Sequence, residues 1–425
     1  MRNLRTIFVA PQPPYPLTNG LPIRLFQLLQ AYAECGPVKL VFLYEDESQL
    51  DAVQAVAKFC ESIHPVHTAS TRGQTTLAAL PRWQRRLRVA FARRPVGMVK
   101  EFSPELSRIV EELAPTADLV HVTTIHMVAQ MEQLLARRPV GARFVLDLPD
   151  VETARHASAL RVSPLRSWPQ LAWGYYEVLR LWVYQRRVLR QFDRVLVCSE
   201  RESERLGAPN VVVVPNVTTV PPSVPPSESD GRTMLFCGTL SYPPNVDGLE
   251  FFVRQVLPEI RKAQPDARLL IVGRAPTSRV QALADGSAVR IEANVPSVAD
   301  YYRRATLAVV PLSWGGGTRI KILEAWALGV PVISTPVGCE GLDATDGEHL
   351  AIASRPDEFA RACVQLLQNP ALRRQFIERG RELVWRKFRR EAVQADIVRL
   401  ARGLANGSVA SAAAPEGRLV GSWPR

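Results

Sequence analysis

The sequence predicts an α/β protein made of two doubly wound parallel-sheet domains, and three observations carry that prediction. At 425 residues the chain is too long for one core of ordinary size. Short apolar runs such as Thr6–Ala10 and Val38–Tyr44 alternate with segments of helical periodicity, the pattern of strands buried on both faces and joined by helices. Just beyond residue 215 lies the stretch VPPSVPPSESDG, whose proline, serine and acidic content is that of a linker. The expected domains are 1–215 and 216–390, followed by a helix over 391–403 and a Gly/Ala/Ser/Pro-rich, disordered tail over 404–425.

Composition narrows the class. An apolar content of 47% with 22% charged residues is that of a soluble globular chain, and a net charge of +12 favours an anionic partner without choosing among nucleotide, lipid surface and nucleic acid. The six cysteines have no metal-ligand or redox spacing, so buried thiols in a reducing compartment are expected and no metal site is predicted. Thr6–Ala10 is too short for the core of a signal peptide, and no apolar run approaches the roughly eighteen residues of a membrane span. A cytoplasmic protein is expected, either free or lying on the membrane.

In chain order, Thr6–Ala10 is the first strand. The loop PQPPYPLTNGLP with Gly20 leads to a helix over Ile23–Cys35 that carries Arg24; Val38–Tyr44 is the second strand and Leu50–Phe59 a helix. Residues 77–94 combine leucines and Trp83 with six arginines, and 168–190 form a second aromatic and basic segment. Each either packs its apolar stripe on its own domain or lies on an anionic bilayer. Strands follow at Leu119–Val122, carrying His121, at Phe144–Leu146, ending in Asp147, at Arg194–Cys198 and at Val211–Val214. A histidine in an apolar strand reads first as a hydrogen-bonded core residue.

In the second half, Thr233–Phe236 runs into Cys237-Gly238-Thr239, and Gly238 permits a sharp turn at a strand's carboxyl end. A helix follows over Leu249–Val256. Ala267–Val272 with Gly273-Arg274 repeats the strand and glycine pattern, and Val289–Ile291 leads to Asn294-Val295-Pro296. Residues 305–341 hold the sharpest local signal: a strand over Ala305–Val310, a loop ending in Gly315-Gly316-Gly317, a helix over Thr318–Leu328 capped by Thr318, and a strand over Val330–Ser334. Open N–H groups at that helix start, with Arg319 and Lys321 in its first turn, make an anion site fit for a diphosphate, and Glu324 one turn on can accept hydrogen bonds from ligand hydroxyls. The plain alternative is a solvated helix start with Lys321 and Glu324 as an i,i+3 pair. The chain ends in helices over Pro356–Gln368, Ala371–Trp385 and 388–403.

This segment resembles the donor-site signature of glycosyltransferase family 4, retaining enzymes of the GT-B fold. The family pattern has two glutamates with seven residues between them, the second in a Glu-Ala-x-Ala-x-Gly run followed by Pro-Val. Here Glu324-Ala325-Trp326-Ala327-Leu328-Gly329-Val330-Pro331-Val332 supplies the second, while Gly316 occupies the place of the first, as in the subgroup reading Gly-Gly-Gly-Thr-Arg-x-Lys. The resemblance implies two Rossmann-like domains with a cleft between them. It implies donor contacts at Gly238, Thr239, Gly273, Arg274, Val295, Gly315, Gly316, Gly317, Thr318, Arg319, Lys321 and Glu324. It also implies acceptor or cleft positions at Gly20, Arg24 and Asp147, and catalytic roles for Glu324 and for His121, with His126 as the fallback. The family's lysine after the Gly238 turn is missing, and uncharged Asn245 stands in its region.

The resemblance further implies transfer of a sugar from a nucleoside-diphosphate sugar, with retention, to a glycan or lipid-linked acceptor in exopolysaccharide or cell-surface polysaccharide synthesis. No cofactor and no obligatory metal are expected. The competing readings are a nucleotide-sugar epimerase of the same fold and a catalytically silent binding or assembly subunit. A nicotinamide dehydrogenase is disfavoured because neither Gly238 nor Gly273 opens a G-x-G-x-x-G turn, and nucleic-acid binding lacks any reader motif.

Overall fold

The structure, a computed structural model, describes residues 3–406 except 18, 52, 71–80, 82–83, 85–93, 96–97, 99–101, 163–166 and 225–226. The chain divides into two compact units, one from the N-terminus to Val214 that regains the chain from Val393, the other Pro215–Ala392. Most of the arginine-rich segment 77–94, and residues 407–425 of the expected tail, lie outside the described residues; Leu404 and Ala405 complete the last helix.

The first unit is built on β1 (Thr6–Ala10), β2 (Val38–Tyr44), β3 (Ser62–His67), β4 (Leu119–Thr123), β5 (Arg143–Leu148), β6 (Arg194–Val197) and β7 (Val211–Val213). Every pairing is parallel, in the order β3-β2-β1-β4-β5-β6-β7. Ile7, Val9, Val120, Val122, Phe144, Leu146, Val195 and Val197 fill its core from alternate positions of the central strands. Strand β3, SIHPVH, escapes a search for apolar runs because it is an edge strand, where proline and polar residues are tolerated. The helix expected over Leu50–Phe59 is instead two single turns, Ser48–Asp51 and Gln54–Ala57.

The second unit holds β8 (Thr233–Thr239), β9 (Arg268–Arg274), β10 (Val289–Ala293), β11 (Leu307–Val310), β12 (Val332–Ser334) and β13 (Ala351–Ile352), parallel throughout in the order β10-β9-β8-β11-β12-β13. The order reverses between β8 and β11, so the turns leaving these two strands flank the switch point where such sheets take ligands. The expected linker is packed, not free. The Arg381 guanidinium donates to the carbonyls of Ala327 and of Pro221 (3.1 Å), Glu228 N–H donates to Arg303 O at 2.9 Å, and a Cβ on Gly329 would strike Val224.

The helices that matter below are α1 (Gly20–Ala33), α2 (Glu152–Arg161), α3 (Trp168–Leu189), α4 (Pro243–Phe251), α5 (Ile320–Ala327) and α6 (Arg390–Ala405). Helix α1 begins at Gly20 because Asn19 caps it, accepting from Leu21 N–H at 3.1 Å. Helix α4 starts six residues ahead of the expected Leu249 through prolines at its first turn and continues as a π turn over Phe252–Val256. Helix α6 runs into the first unit, where the Gln394 amide meets the Glu34 carboxylate and Arg402 donates to Glu34 O at 3.3 Å.

Candidate functional site

The strongest convergence of polar groups lies in the second unit, around the turn leaving β8 and the start of α5. Helix α5 is seated by Ile322, Leu323, Ala325 and Trp326, all fully buried, which fixes the opposite side of the helix with Lys321 and Glu324 only partly buried. The helix begins at Ile320, two residues later than expected. Thr318 is not its cap: its hydroxyl accepts from Asn216 at 2.7 Å, and extended Arg319 precedes the first helical residue without a side-chain cap bond. The Arg319 guanidinium instead folds back, donating to the carbonyls of Gly316 and of Gly317 (2.7 Å). The glycine loop is thereby braced from inside. Arg319 is only 7% exposed, yet its Nε and Nη2 have no hydrogen-bond partner in the structure, so donor capacity remains beside the loop. Gly315 is required there: its φ is +133°, and a Cβ would fall 2.8 Å from Arg319 Nη2.

Lys321 reaches across to β8. Its ammonium donates to Asn245 Oδ1 at 2.9 Å and sits 4.1 Å from the centre of the Phe236 ring, while Asn245 Nδ2 donates to Thr239 O at 2.7 Å. A Cβ on Gly238 would lie 2.8 Å from Lys321 Nζ and 2.9 Å from Asn245 Nδ2. Asn245 therefore does not leave the Gly238 turn without a cation: it holds one supplied by α5. Burial pushes the Lys321 ammonium down to about 7, with the Arg319 charge adding to the effect. Burial likewise pushes the Glu324 carboxyl up to about 7, opposed by a hydrogen bond from Tyr302 and by the Lys321 charge. Tyr302 OH donates to Lys321 O at 3.1 Å and approaches Glu324 Oε2 at 3.5 Å. Lys321 is thus spent on Asn245, not on Glu324, which sets aside the surface ion-pair reading.

Neighbouring turns close around the same edge. Gly273 is fixed by packing, because a Cβ there would fall 1.8 Å from Gly238 O. Arg274 at the end of β9 is exposed, Thr239 is partly buried beside the Lys321 and Asn245 pair, and Val295 packs on the core at the turn after β10, where Asn294 Oδ1 accepts from Ala275 N–H at 3.1 Å. The loop before Gly315 is pinned by Trp314 Nε1, which donates to Asp247 at 2.9 Å, and Asp247 also accepts from Arg279 at 3.0 Å. Tyr302, Phe236, Trp314 and Asp247 were not singled out from sequence. Only long-range pairing marks them, and no local spacing carries that signal. Among the described residues, no group of three His, Cys, Asp or Glu is placed to hold a metal ion.

The positions expected in the first unit lie elsewhere. His121 is fully enclosed: its ring stacks on Phe8 at 4.5 Å, Nδ1 is 3.0 Å from Tyr32 OH, and Nε2 is 3.0 Å from Thr123 Oγ1. Burial, helped by the Arg24 charge, pushes its pKa down to about 3, so within the first unit it stands as a neutral, hydrogen-bonded histidine enclosed by its neighbours. Arg24 and Asp147 are equally buried and form a two-pronged ion pair at 2.6 Å, with Arg24 also donating to Val214 O at 2.7 Å. The pair ties α1 to β5 and to the end of the unit. Gly20 is exposed as the first residue of α1. His126, the fallback, pairs with Glu152 at 2.6 Å and is one-fifth exposed.

Two family models account for most of the chain: a glycosyl transferase 4-like domain over residues 19–223 and glycosyl transferases group 1 over 231–369. The chain is a member of glycosyltransferase family 4. This family 4 member is 28% identical over 204 residues to a phosphatidyl-myo-inositol mannosyltransferase of Mycobacterium leprae, covering 47% of this chain and 53% of the relative. An uncharacterised protein of the cps region of Klebsiella pneumoniae is 26% identical over 210 residues, covering 46% and 52%. The chain spans about half the length of the curated relatives it matches. Among solved structures it resembles sucrose-phosphate synthase of Thermosynechococcus elongatus (TM-score 0.70, 20% identity, 95% of this chain and 100% of that one) and Anabaena HepE in complex with UDP and glucose (0.63, 11%, 94% and 99%). At these identities the likeness establishes the GT-B fold of the family.

Proposed function

We propose that this protein is a retaining glycosyltransferase that takes a sugar from a nucleoside-diphosphate sugar bound in its second unit. The observation that carries the reading is the meeting of Lys321, the Arg319-braced glycine loop and the N-terminal end of α5 at the Gly238 turn. Departure of a nucleoside diphosphate builds negative charge on the phosphates, and cations with open helix N–H groups stabilise that charge more in the transition state than before it. Lys321 is suited to this because its ammonium is held but only lightly neutralised: its partners are an amide oxygen and a ring face. Glu324, three residues along the same helix, offers two acceptor oxygens to a diol of the ribose or sugar. In this role map Gly238, Thr239 and Gly273 let ligand approach the backbone, and Arg274 and Val295 lie on the side of the base. The reaction is of the hexosyl-transfer type and calls for no cofactor and no obligatory metal.

For the acceptor we infer a glycan or lipid-linked saccharide in exopolysaccharide or cell-surface polysaccharide synthesis, presented at the cytoplasmic face of the inner membrane. Support comes from relatives named for the cps region, for phosphatidyl-myo-inositol and for the lipopolysaccharide core. The deciding experiment is titration with UDP, GDP and their sugar conjugates, followed by a product assay against membrane-derived acceptors. Binding of one nucleotide, with free diphosphate released only when acceptor is present and undiminished by a chelator, is expected. An isomerised donor would make the protein an epimerase. Binding without turnover would leave a silent subunit, and no binding at millimolar nucleotide would remove the donor site altogether.

A further inference from the structure

Of the eleven large hydrophobic side chains exposed among the described residues, seven lie on the single helix α3: Trp168, Trp173, Tyr175, Tyr176, Leu179, Trp182 and Val183, each between 42% and 81% exposed. Six of them are not scattered around it: positions 168, 175, 176, 179, 182 and 183, with exposed Ala172 between the first two, follow the three- and four-residue spacing of one helical face, which Arg186 and Arg190 continue, with Arg187 beside them, all three exposed. Trp173 lies off this stripe, its ring centre 5.6 Å from that of Tyr176. The opposite face is anchored in the first unit. Leu181, Tyr184, Val188 and Leu189 are buried, Tyr184 OH donates to Glu132 at 3.0 Å, and Gly174 lets α3 pack so closely on Leu160 of α2 that a Cβ would lie 2.5 Å from it. The helix therefore does not turn its aromatic face outward for want of an inner one. It has both.

We propose that this outer face of α3 is a docking surface for an anionic lipid bilayer. The face has a graded chemistry that a membrane interface matches: a stripe about 22 Å long of tryptophan, tyrosine and aliphatic side chains, then arginines at one end. Tyrosine and tryptophan carry an apolar body and a polar tip, which suits the headgroup boundary, whereas a helix pair between two copies of the chain is better served by interlocking leucine, isoleucine and alanine. The charge is complementary too. The one acidic residue of α3, Glu177, pairs with Arg180 at 2.5 Å, and Arg186 lies over the Trp182 ring at 4.5 Å, so cation and aromatic enter the interface together. No helix of the described residues is long and apolar enough to cross a membrane, and the contact lies in the plane of the surface. The use of this surface to meet a lipid-linked acceptor rests on the transferase reading; the docking itself does not.

The test is flotation of the full chain with phosphatidylglycerol-containing vesicles and with phosphatidylcholine vesicles, at low and high salt and without nucleotide or acceptor. Binding to the anionic vesicles at least about tenfold stronger than to the neutral ones, and reduced by salt, is expected. The double variants Leu179→Glu with Trp182→Glu, and Arg186→Glu with Arg187→Glu, change only exposed positions. Each should keep its melting temperature and its nucleotide binding while losing about tenfold or more of vesicle binding. Equal absence from both kinds of vesicle, or unchanged binding by a folded Leu179→Glu, Trp182→Glu protein, overturns the proposal. A dimer by light scattering that this same variant dissociates, with no vesicle binding, would instead assign the face to a second copy. Loss of nucleotide binding in the wild-type protein would touch the transferase reading and leave this one standing.

Discussion

Lys321 and Glu324 occupy one face of α5, and each is held by the protein at the cost of its ordinary ionisation. For Lys321 the lowered pKa means that the folded, empty site gives up its proton near pH 7, whereas an unfolded lysine keeps it to about 10. The destabilisation from confining the ammonium is therefore present in full below pH 7 and fades as pH rises from there. A diphosphate reverses the balance by stabilising the ammonium. Nucleotide binding at pH 8 should take up a proton, and affinity should fall by up to about tenfold per pH unit above 7 until the bound-state pKa is passed. Calorimetry in buffers of different ionisation enthalpy checks this. Glu324 is argued from geometry as well. Replacement by glutamine keeps its size but weakens each charge-assisted bond to a diol, so turnover should drop about ten- to a hundredfold with the melting temperature maintained. A folded Glu324→Gln protein with unchanged turnover and donor affinity would leave Glu324 as an ordinary helical residue bonded to Tyr302.

At the scale of elements, two glycines in adjacent strands are needed for different reasons, and the difference can be measured. Gly273 in β9 faces the backbone oxygen of Gly238, and backbone cannot move aside, so Gly273→Ala should cost about 3 kcal/mol in a denaturant titration or prevent folding. Gly238 faces the ends of the Lys321 and Asn245 side chains, which can move. Gly238→Ala, strained by a φ of +159° but meeting only movable side-chain ends, should lose less stability than Gly273→Ala yet bind nucleotide at least about tenfold more weakly, because the methyl group displaces the ammonium. The identity of the loop, helix and strand from 305 to 334 was legible in sequence, since strand, glycines, cations and carboxylate are neighbours in the chain. Which residue caps that helix was not. Thr318 is a good cap by type, but its hydroxyl is taken by Asn216, a hundred positions distant in a strand-free stretch, and the helix starts at Ile320 instead.

For the whole molecule, the sequence determined the two α/β units, the parallel order implied by alternating apolar runs and helices, and the strand, glycine loop and helix on which the donor site is proposed. Each of these follows from local periodicity and from residues close together in the chain. Tertiary structure alone decided which of the candidate side chains meet. It withdrew His121 behind Phe8 and Tyr32, joined Arg24 to Asp147 across 123 positions, and brought Lys321 to Asn245 across 76. It also packed the proline-rich stretch after residue 215 against the second unit and turned the aromatic face of α3 outward while its other face found a core. The physical reason is the same in each case. Periodicity tells a strand or helix which residues share a side, but whether that side meets solvent, a core or another polar group is fixed by the order in which strands pair, and that order is a property of the folded chain.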